Sequence, residues 1–335
     1  MDEEDFLKTL EEHRAKWEAE HKMSEDVVDG PPSPRANATL VPCPVSTSLW
    51  LFGGDRYDGA RIDMFADLYR FTPEKNEWRK FTSPSAPSPR SAHACVASAQ
   101  GGGQLWIFGG EYASPNGASF MHFKDFWLYS IAERSWEKIE SRQKPSARSG
   151  ARMAMWKRWI FLFGGFQDTG VKTSYLQDLW VFDTQSLRWQ QVELSALIDR
   201  RPCQRSGFSF LPCADGIVLH GGYMKLYERK KMTGVPLTDT WLLRIPPSAT
   251  DGDELDIKQL KWEKRKRVGY VPGPRVGCTM ALWHARQMAV LFGGVLDNER
   301  DDEDFASTFY NELYVHRSYQ RGQLTETVRA ALATT

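Results

Sequence analysis

Five arginine residues recur at intervals along the chain, each directly after a proline, an alanine or a glutamine. A guanidinium group presents its N–H donors as a fork that matches a carboxylate or a phosphate. Converging arginines can therefore bind an acidic ligand, or each can hydrogen-bond backbone carbonyls between repeats as part of the architecture. Three are followed by serine, whose hydroxyl adds a further polar contact. The candidate partner-binding residues are Arg35, Arg90, Ser91, Arg148, Ser149, Arg205, Ser206 and Arg275.

Pairs of adjacent glycines recur in step with the arginines. A glycine pair after a strand can form a phosphate-binding loop, but that loop must open a helix in a pattern such as GxxxxGK[ST]. No pair is followed by such a pattern, so we interpret the glycines as architectural, permitting positive φ and close backbone approach. The pairs are Gly53 and Gly54, Gly109 and Gly110, Gly164 and Gly165, Gly221 and Gly222, and Gly293 and Gly294.

These glycine pairs mark an internal repeat. A short apolar run precedes each pair, and a second apolar segment follows after about 14 to 18 residues. In four of the five repeats a tryptophan comes next. This order predicts four short strands per repeat, as in a blade of a kelch-type β-propeller, where stacked blades bury both faces of each sheet. The tryptophans are Trp78, Trp136, Trp189 and Trp262.

The repeat resembles the kelch-repeat family over most of residues 31–316. The resemblance implies a six-bladed propeller in an intracellular protein without established catalytic residues. In other kelch proteins, arginines in similar positions hold acidic peptides, so the resemblance makes partner binding a hypothesis beside the architectural role, which the regular recurrence of the arginines favours. The stretches that carry the resemblance are residues 31–40, 100–117, 122–130, 148–166 and 309–315, of which 100–117 is the most specific.

The predicted fold is all-β, a kelch-type β-propeller with five recognisable four-stranded blades and a short N-terminal helix. Residues 1–30 are expected to form a helical, partly disordered segment, and residues 31–317 the propeller. Residues 318–335 depart from the family pattern and favour a helical tail, so the fifth blade is expected to lack its outer strand and the sixth to be absent. Residues 24–30 are a candidate for that missing strand.

Loop lengths distinguish the two faces of a propeller. The segments that follow the glycine pairs are long, whereas most turns at the opposite ends of the strands are short. Long loops on a rigid scaffold commonly carry recognition, so we predict that the long-loop face binds a partner. Two of these loops, 224–234 and 296–305, have opposite charge. They can pair with each other or form a bipartite site.

Composition favours an intracellular binding protein. The 43 basic residues balance 43 acidic ones, which argues against bulk attraction to nucleic acid or to a membrane surface. The N-terminus lacks the apolar stretch of a signal peptide, and the five cysteines are widely spaced, as in a reducing compartment. We expect a cytoplasmic protein. The nucleus is the alternative, because residues 261–267 resemble a localisation signal, although they also fit a charged outer strand.

The predicted function is a non-catalytic protein–protein interaction scaffold or adaptor that binds a partner protein or an acidic peptide. A ubiquitin-ligase adaptor is one version, although no BTB, F-box or cullin-box-like segment is evident. We predict no cofactor, no metal and no nucleic-acid or membrane partner. The alternative is a kelch-fold enzyme, oxidase-like or other, with its site in the channel mouth, which His93 and His122 are placed to face. No nucleophile, base and acid grouping stands out from the repeats.

Overall fold

The computed structural model divides into two compact units. Unit 1 contains residues 1–142 and 146–149, and unit 2 contains residues 143–145 and 150–335. The residues that the structure describes are 5, 8–9, 11–14, 16, 23–193, 201–228, 231–250, 254–266, 273–283, 288–299, 305–310, 312–317 and 326–330. Among them, residues 5, 8–9, 11–14 and 16 are helical, in agreement with the predicted N-terminal helix.

Unit 1 contains two blade sheets, each with a small hairpin inserted after its glycine pair. The first blade has strand order β1-β7-β6-β3-β2 with hairpin β4-β5, and the second has β13-β12-β9-β8 with hairpin β10-β11. The strands are β1 Ser24–Val28, β2 Thr39–Pro42, β3 Leu49–Phe52, β4 Asp55–Tyr57, β5 Ile62–Met64, β6 Leu68–Thr72, β7 Glu77–Thr82, β8 Ala94–Ser98, β9 Gln104–Phe108, β10 Glu111–Ala113, β11 Phe120–His122, β12 Phe126–Ser130 and β13 Ser135–Lys138; short 3-10 helices cover Pro73–Lys75 and Gln100–Gly102.

Unit 2 repeats this plan in three further blades. Their strand orders are β14-β15-β18-β19, β20-β21-β24-β25 and β26-β27-β30-β31, with hairpins β16-β17, β22-β23 and β28-β29. The third blade contains β14 Arg152–Trp156, β15 Trp159–Phe163, β16 Phe166–Asp168, β17 Thr173–Tyr175, β18 Leu179–Asp183 and β19 Arg188–Gln191. The fourth contains β20 Ser209–Cys213, β21 Gly216–His220, β22 Tyr223–Glu228, β23 Lys231–Pro236, β24 Thr240–Arg244 and β25 Lys261–Arg265; the fifth contains β26 Thr279–Trp283, β27 Met288–Phe292, β28 Val295–Glu299, β29 Phe305–Phe309, β30 Leu313–Arg317 and β31 Glu326–Ala330.

The central strands of the third blade are buried on both faces. All five residues of β15 are buried, and the first four of β18. Because both faces of these strands are covered, their sequences are continuously apolar. A strand with one face in water would instead alternate apolar and polar residues. The first strands of successive blades also contact one another, β2 with β8 in unit 1 and β14 with β20 in unit 2. Each blade thus stacks on the next within its unit, as in a propeller.

The glycine pairs have the architectural role that we predicted. Gly109 and Gly110 have φ of +66° and +94°. A Cβ atom at Gly110 would lie 2.6 Å from the carbonyl oxygen of Ser91, and one at Gly109 would lie 2.7 Å from that of Arg148. Side chains cannot be placed at these positions without moving backbone, which explains the requirement for glycine.

Both ends of the chain differ from the prediction. Residues 24–28 form a strand, but β1 pairs with β7 at the outer edge of the first blade and not with the fifth. The fifth blade has its own outer strand, because β31 pairs with β30 along its full length. The expected helical tail is therefore wrong over residues 326–330. The free edge of β30 offers backbone hydrogen-bond partners to residues 326–330, and these partners outweigh the local preference of the segment for a helix. Thr327 and Val328 are also β-branched and favour a strand.

An insertion in the fourth blade is also more ordered than its acidic sequence suggests. Two 3-10 helices, Pro247–Thr250 and Ile257–Gln259, lie between β24 and β25. Ala249 and Leu260 are buried in the apolar core of unit 2. In the described part of the chain, no helix is both long and apolar enough to cross a membrane.

Candidate partner-binding site

Arg90 lies just before β8, the first strand of the second blade, and is fully buried, with none of its surface exposed. Its Nη1 and Nη2 atoms donate to the two carboxylate oxygens of Asp125 at 2.7 and 3.0 Å. Nη1 also donates to the carbonyl of Gly109 at 3.0 Å, and Nε to the carbonyl of Ser88 at 3.1 Å. The guanidinium plane lies 4.1 Å from the centre of the Phe123 ring. All sides of this cation are thus occupied by its own blade.

The other arginines repeat the arrangement. Arg205 binds both carboxylate oxygens of Asp239, at 2.7 and 3.1 Å. Arg275 donates to Glu312 at 3.0 Å, and Arg35 lies 3.6 Å from Asp67. Each of these three also donates to the first glycine carbonyl of its repeat: Arg35 to Gly53, Arg205 to Gly221 and Arg275 to Gly293. Arg148 donates through Nε to the carbonyl of Ser146 at 3.0 Å.

The acidic partners were missed by our reading of the sequence, although a signal was present. An acidic residue stands directly before the third long strand of every repeat: Asp67, Asp125, Asp178, Asp239 and Glu312. In three repeats the next residue but one is a tryptophan whose indole N–H donates to this carboxylate, as Trp127 does to Asp125 at 2.8 Å, Trp180 to Asp178 at 2.7 Å and Trp241 to Asp239 at 2.7 Å.

These contacts set the charge of the carboxylates. Burial raises the pKa of Asp125, but the hydrogen bonds and the charge of Arg90 outweigh burial and, with the Trp127 indole, lower the pKa below its usual value. The pKa of Asp239 is lowered in the same way by Arg205 and Trp241 against the effect of burial. Both carboxylates are therefore ionised at neutral pH and pair with their arginines.

The arginines are consequently part of the fold, which corrects their assignment as partner-binding residues. Arg90, Arg148, Arg205 and Arg275 are 0%, 1%, 0% and 6% exposed. The carbonyl of each of the first three also accepts a hydrogen bond from the second glycine of the preceding repeat: Arg90 from Gly54, Arg148 from Gly110 and Arg205 from Gly165. An acidic ligand would have to displace an internal carboxylate to reach these cations.

The serines that follow them are buried as well. Ser91 pairs through its backbone with Glu111, and Ser206 with Tyr223. The Ser149 hydroxyl lies 2.7 Å from Nδ1 of His122. Ser91 and Ser206 are thus joined to the hairpins of their own blades, and Ser149 to the hairpin of the second blade. The structure therefore gives the serines an architectural position too.

The long loops take the form of hairpins that project from the blades. In unit 1, the β4-β5 and β10-β11 hairpins contact each other, and the Ile62 amide donates to the carbonyl of Pro115 at 3.0 Å. Three large apolar side chains on these hairpins are exposed: Tyr57 by 65%, Phe120 by 49% and Met121 by 50%. Tyr57 and Phe120 line the same groove, and exposed apolar side chains grouped in this way are typical of an interaction site.

A groove of about 610 Å³ runs between these two hairpins. Its lining is mainly apolar and includes two carboxylates, Asp55 and Glu111. Among the described residues that line it, none is basic. The nearby Arg56 and Arg61 both pair with Asp63, at 2.6 and 2.7 Å. The lining residues are Asp55, Tyr57, Ala60, Ile62, Met64, Ser91, Glu111, Ala113, Pro115, Asn116, Gly117 and Phe120.

Glu111 is the more unusual of the two carboxylates. Burial raises its pKa, the Ser149 hydroxyl lowers it, and the nearby charge of Asp55 raises it again, for a net upward shift. Its Oε2 atom is buried and has no hydrogen-bond partner among the described residues. Asp55 is better satisfied, since Asn37 donates to its Oδ1 at 2.9 Å. The two carboxylates of the groove lining therefore carry negative charge that the described part of the chain only partly compensates.

The hairpins of unit 2 carry aromatic residues at the corresponding positions. The residue after the glycine pair is Phe166 in the third blade and Tyr223 in the fourth. The Phe166 ring stacks on Tyr175 with 5.7 Å between centres, and Tyr175 meets Tyr223 edge-on at 6.3 Å. Burial raises the pKa of Tyr175 to about 12. The predicted contact between the charged loops 224–234 and 296–305 falls partly on residues 229–230 and 300–304, outside the described residues.

Comparison with known proteins agrees with this geometry. Residues 7–222, well over half of the chain, match the family described as the KLHDC2/KLHL20/DRC7 Kelch-repeats domain. The chain belongs to this kelch-repeat family. A solved structure, "Structure of YjhT", is similar with a TM-score of 0.62 at 15% identity, covering 91% of this chain and 86% of that one. A likeness at this identity supports the propeller fold alone.

Curated kelch relatives differ in what their names describe. The chain is 24% identical over 275 residues to N-(sulfonatooxy)prop-2-enimidothioate sulfolyase of Thlaspi arvense, with 77% of this chain and 73% of the relative covered. It is 28% identical to the F-box/kelch-repeat protein At1g51550 of Arabidopsis thaliana, with 63% and 40% covered. It is 23% identical to human Kelch domain-containing protein 2, with 63% and 52% covered. The chain thus spans about half or less of the last two relatives.

Three histidines of this kelch domain, His93, His122 and His220, are engaged within the fold. His93 is 1% exposed, and its Nε2 lies 2.7 Å from the Thr39 hydroxyl. His122 contacts Ser149, and His220 lies 2.8 Å from the Thr240 hydroxyl through Nδ1. Among the described residues, no group of three or more His, Cys, Asp and Glu side chains is placed to hold a metal ion.

Proposed function

We propose that this kelch domain is a non-catalytic protein-interaction scaffold that binds a partner polypeptide through the two hairpins of unit 1. The observation that carries the proposal is that two exposed aromatic side chains, Tyr57 and Phe120, line a groove of about 610 Å³. Met121 is a further exposed apolar residue of the same hairpin as Phe120. Water-exposed aromatic surface is unfavourable unless a partner covers it. The blades beneath supply a rigid base, so little order has to be gained on binding.

The kind of partner follows from which groups remain accessible. The arginines that would attract an acidic peptide are buried against their own carboxylates. The accessible charge between the hairpins is negative instead, from Asp55 and Glu111. We therefore propose that a protein partner binds to the hairpins and not to the arginines.

Site-specific photo-crosslinking tests this proposal. A photoreactive phenylalanine analogue is placed at Tyr57 or Phe120, on the hairpins, and at Glu133 as the matched control. Glu133 is exposed and lies in the turn after β12, at the opposite end of the strand from the β10-β11 hairpin. We expect crosslinked proteins from the two hairpin positions and none from Glu133. Crosslinks from Glu133 alone, or equal yields from all three positions, would contradict the proposal.

An enzyme remains a second candidate because one relative is named a sulfolyase. This candidate predicts that the purified chain releases sulfate from an N-(sulfonatooxy) imidothioate by cleavage of the N–O bond, with and without added divalent metal. Release no faster than from heat-inactivated protein would leave the scaffold as the better account.

Three finer proposals accompany the scaffold role. One relative is named an F-box/kelch-repeat protein, and we propose that this chain too serves as an adaptor that brings a substrate to a ubiquitin ligase. Residues 100–117 support placing it near Kelch domain-containing protein 4 and its fungal relatives. We also propose a cytoplasmic location, with the nucleus as the alternative. Ligase subunits among the crosslinked proteins and imaging of a fluorescent fusion test the first and the third.

A further inference from the structure

The groove between the unit 1 hairpins combines two kinds of lining. Tyr57, Ile62 and Phe120 offer apolar surface, and Asp55 and Glu111 offer carboxylates. No basic side chain occurs among the described lining residues. An occupant that complements both kinds of lining needs a cation and apolar carbon in the same segment, as a long basic side chain with apolar neighbours provides.

We propose that this groove binds a lysine or arginine side chain of a partner polypeptide, with an apolar neighbour of that residue against Tyr57 or Phe120. The inference rests on the proposed scaffold function and specifies the chemistry of its partner. The cation would lie between Asp55 and Glu111, where it donates to the carboxylates and screens their repulsion. The aromatic rings would cover the aliphatic stem of the same side chain.

Glu111 supplies the strongest support. Its Oε2 atom is buried without a hydrogen-bond donor among the described residues, which is a costly arrangement for a carboxylate. The nearest cationic candidate is His122, whose Nδ1 is 3.9 Å from Oε2 and only 2.7 Å from the Ser149 hydroxyl. Asp55, also in the groove lining, adds negative charge near Glu111. A cation from a partner would provide the positive charge that the described residues lining the groove do not offer Glu111.

Peptide binding to the full chain tests the inference. Three fluorescent eight-residue peptides alternate leucine with lysine, glutamine or glutamate, so that only the charge differs. We expect the lysine peptide to bind at least about tenfold more tightly than the glutamine peptide, and the glutamate peptide to bind most weakly. Glu111→Gln should weaken binding of the lysine peptide by about tenfold, and the exposed control Glu133→Gln should leave it unchanged.

The outcomes separate this inference from the scaffold proposal. Equal affinity for the lysine and glutamine peptides would overturn it, as would equal losses from Glu111→Gln and Glu133→Gln. If Glu111→Gln lowers the melting temperature too far for a binding measurement, Asp55→Asn replaces it with the same expected loss. If crosslinks form at Tyr57 and Phe120 but the lysine peptide is not preferred, only the proposal of a basic occupant is contradicted, and the scaffold proposal stands. Failure of both experiments would remove the scaffold site as well.

Discussion

Arg90 and Asp125 form a two-pronged ion pair inside the second blade, with Nη1 to Oδ1 at 2.7 Å and Nη2 to Oδ2 at 3.0 Å. Arg205 and Asp239 repeat it in the fourth blade with nearly the same distances. Each pair joins the start of a blade to the start of its third long strand. The regular arginines of this chain thus stabilise the blades, and partner binding is expected from the hairpins that the blades carry.

Removal of Arg90 should strongly destabilise the protein. Arg90→Ala leaves the Asp125 carboxylate largely buried without its cation, and we expect a loss of about 3–5 kcal/mol in the free energy of unfolding. Urea unfolding followed by tryptophan fluorescence measures this loss. The exposed Arg142 is the matched control, and Arg142→Ala should change stability by no more than about 0.5 kcal/mol. Similar losses for both variants would contradict the buried-pair account.

The ion pairs also predict how stability depends on pH. Arg90 lowers the pKa of Asp125 in the folded state, whereas an unfolded aspartate has a pKa of about 3.9. The stabilisation is complete above the unfolded pKa and is lost as the pH falls through the lower folded pKa. Stability measured from pH 5 to pH 2.5 should therefore fall, and Asp125→Asn, although less stable, should show a shallower fall. An unchanged slope in Asp125→Asn would exclude this carboxylate as the cause.

Glycine is required at the second position of each pair for two reasons that can be separated. Gly110 and Gly59 both have positive φ, +94° and +98°, but only at Gly110 would a Cβ meet backbone, 2.6 Å from the Ser91 oxygen. Gly59→Ala should cost about 1–2 kcal/mol, the penalty of the left-handed conformation. Gly110→Ala should cost clearly more. Equal melting temperatures for the two variants would argue against close approach as the reason for the pair.

The N-terminal strand should stabilise unit 1 through Glu25. This carboxylate pairs with Arg70, Arg79 and Arg134 at 2.9, 3.0 and 2.9 Å. Glu25→Gln should lower the free energy of unfolding by about 1–2 kcal/mol, while the exposed Asp26→Asn serves as the matched control. Deletion of residues 1–28 should lower the melting temperature further. A deletion variant as stable as the full chain would show that β1 contributes nothing.

Much of the fold could be predicted because the repeat is local and periodic. The glycine pairs, their apolar runs and the outer-strand tryptophans, such as Trp136 in β13 and Trp189 in β19, fixed the four-stranded units. The placement of β1 could not be predicted, because it depends on Glu25 meeting arginines from distant parts of the sequence. The tail strand β31 was missed because the edge of β30 overrides local helix preference.

For the candidate site, the sequence predicted only a face of the propeller, the one that carries the long loops. Loop lengths placed the expected binding face at the glycine-pair end of the blades, where the structure has the hairpins. The arginines were named as candidate binding residues because their acidic partners were overlooked. A regular arginine with a regular aspartate indicates a structural pair. Asp55 and Glu111, by contrast, break the repeat, since the later blades have Phe166, Tyr223 and Val295 after their glycine pairs. Departures from a repeat are therefore the better guide to function in this chain.

The central claim is that the hairpins bind the partner while the arginines hold the fold. The most direct test compares two double variants. The hairpin variant carries Tyr57→Ser and Phe120→Ser. The control variant carries Val27→Ser and Val45→Ser, which alter exposed apolar residues of unit 1 outside the hairpins. Recovery of crosslinked partners through a photoreactive residue at Met121 is measured together with the melting temperature. We predict that the hairpin variant loses partner recovery at an unchanged melting temperature and that the control keeps both. Full recovery in the hairpin variant would contradict the account.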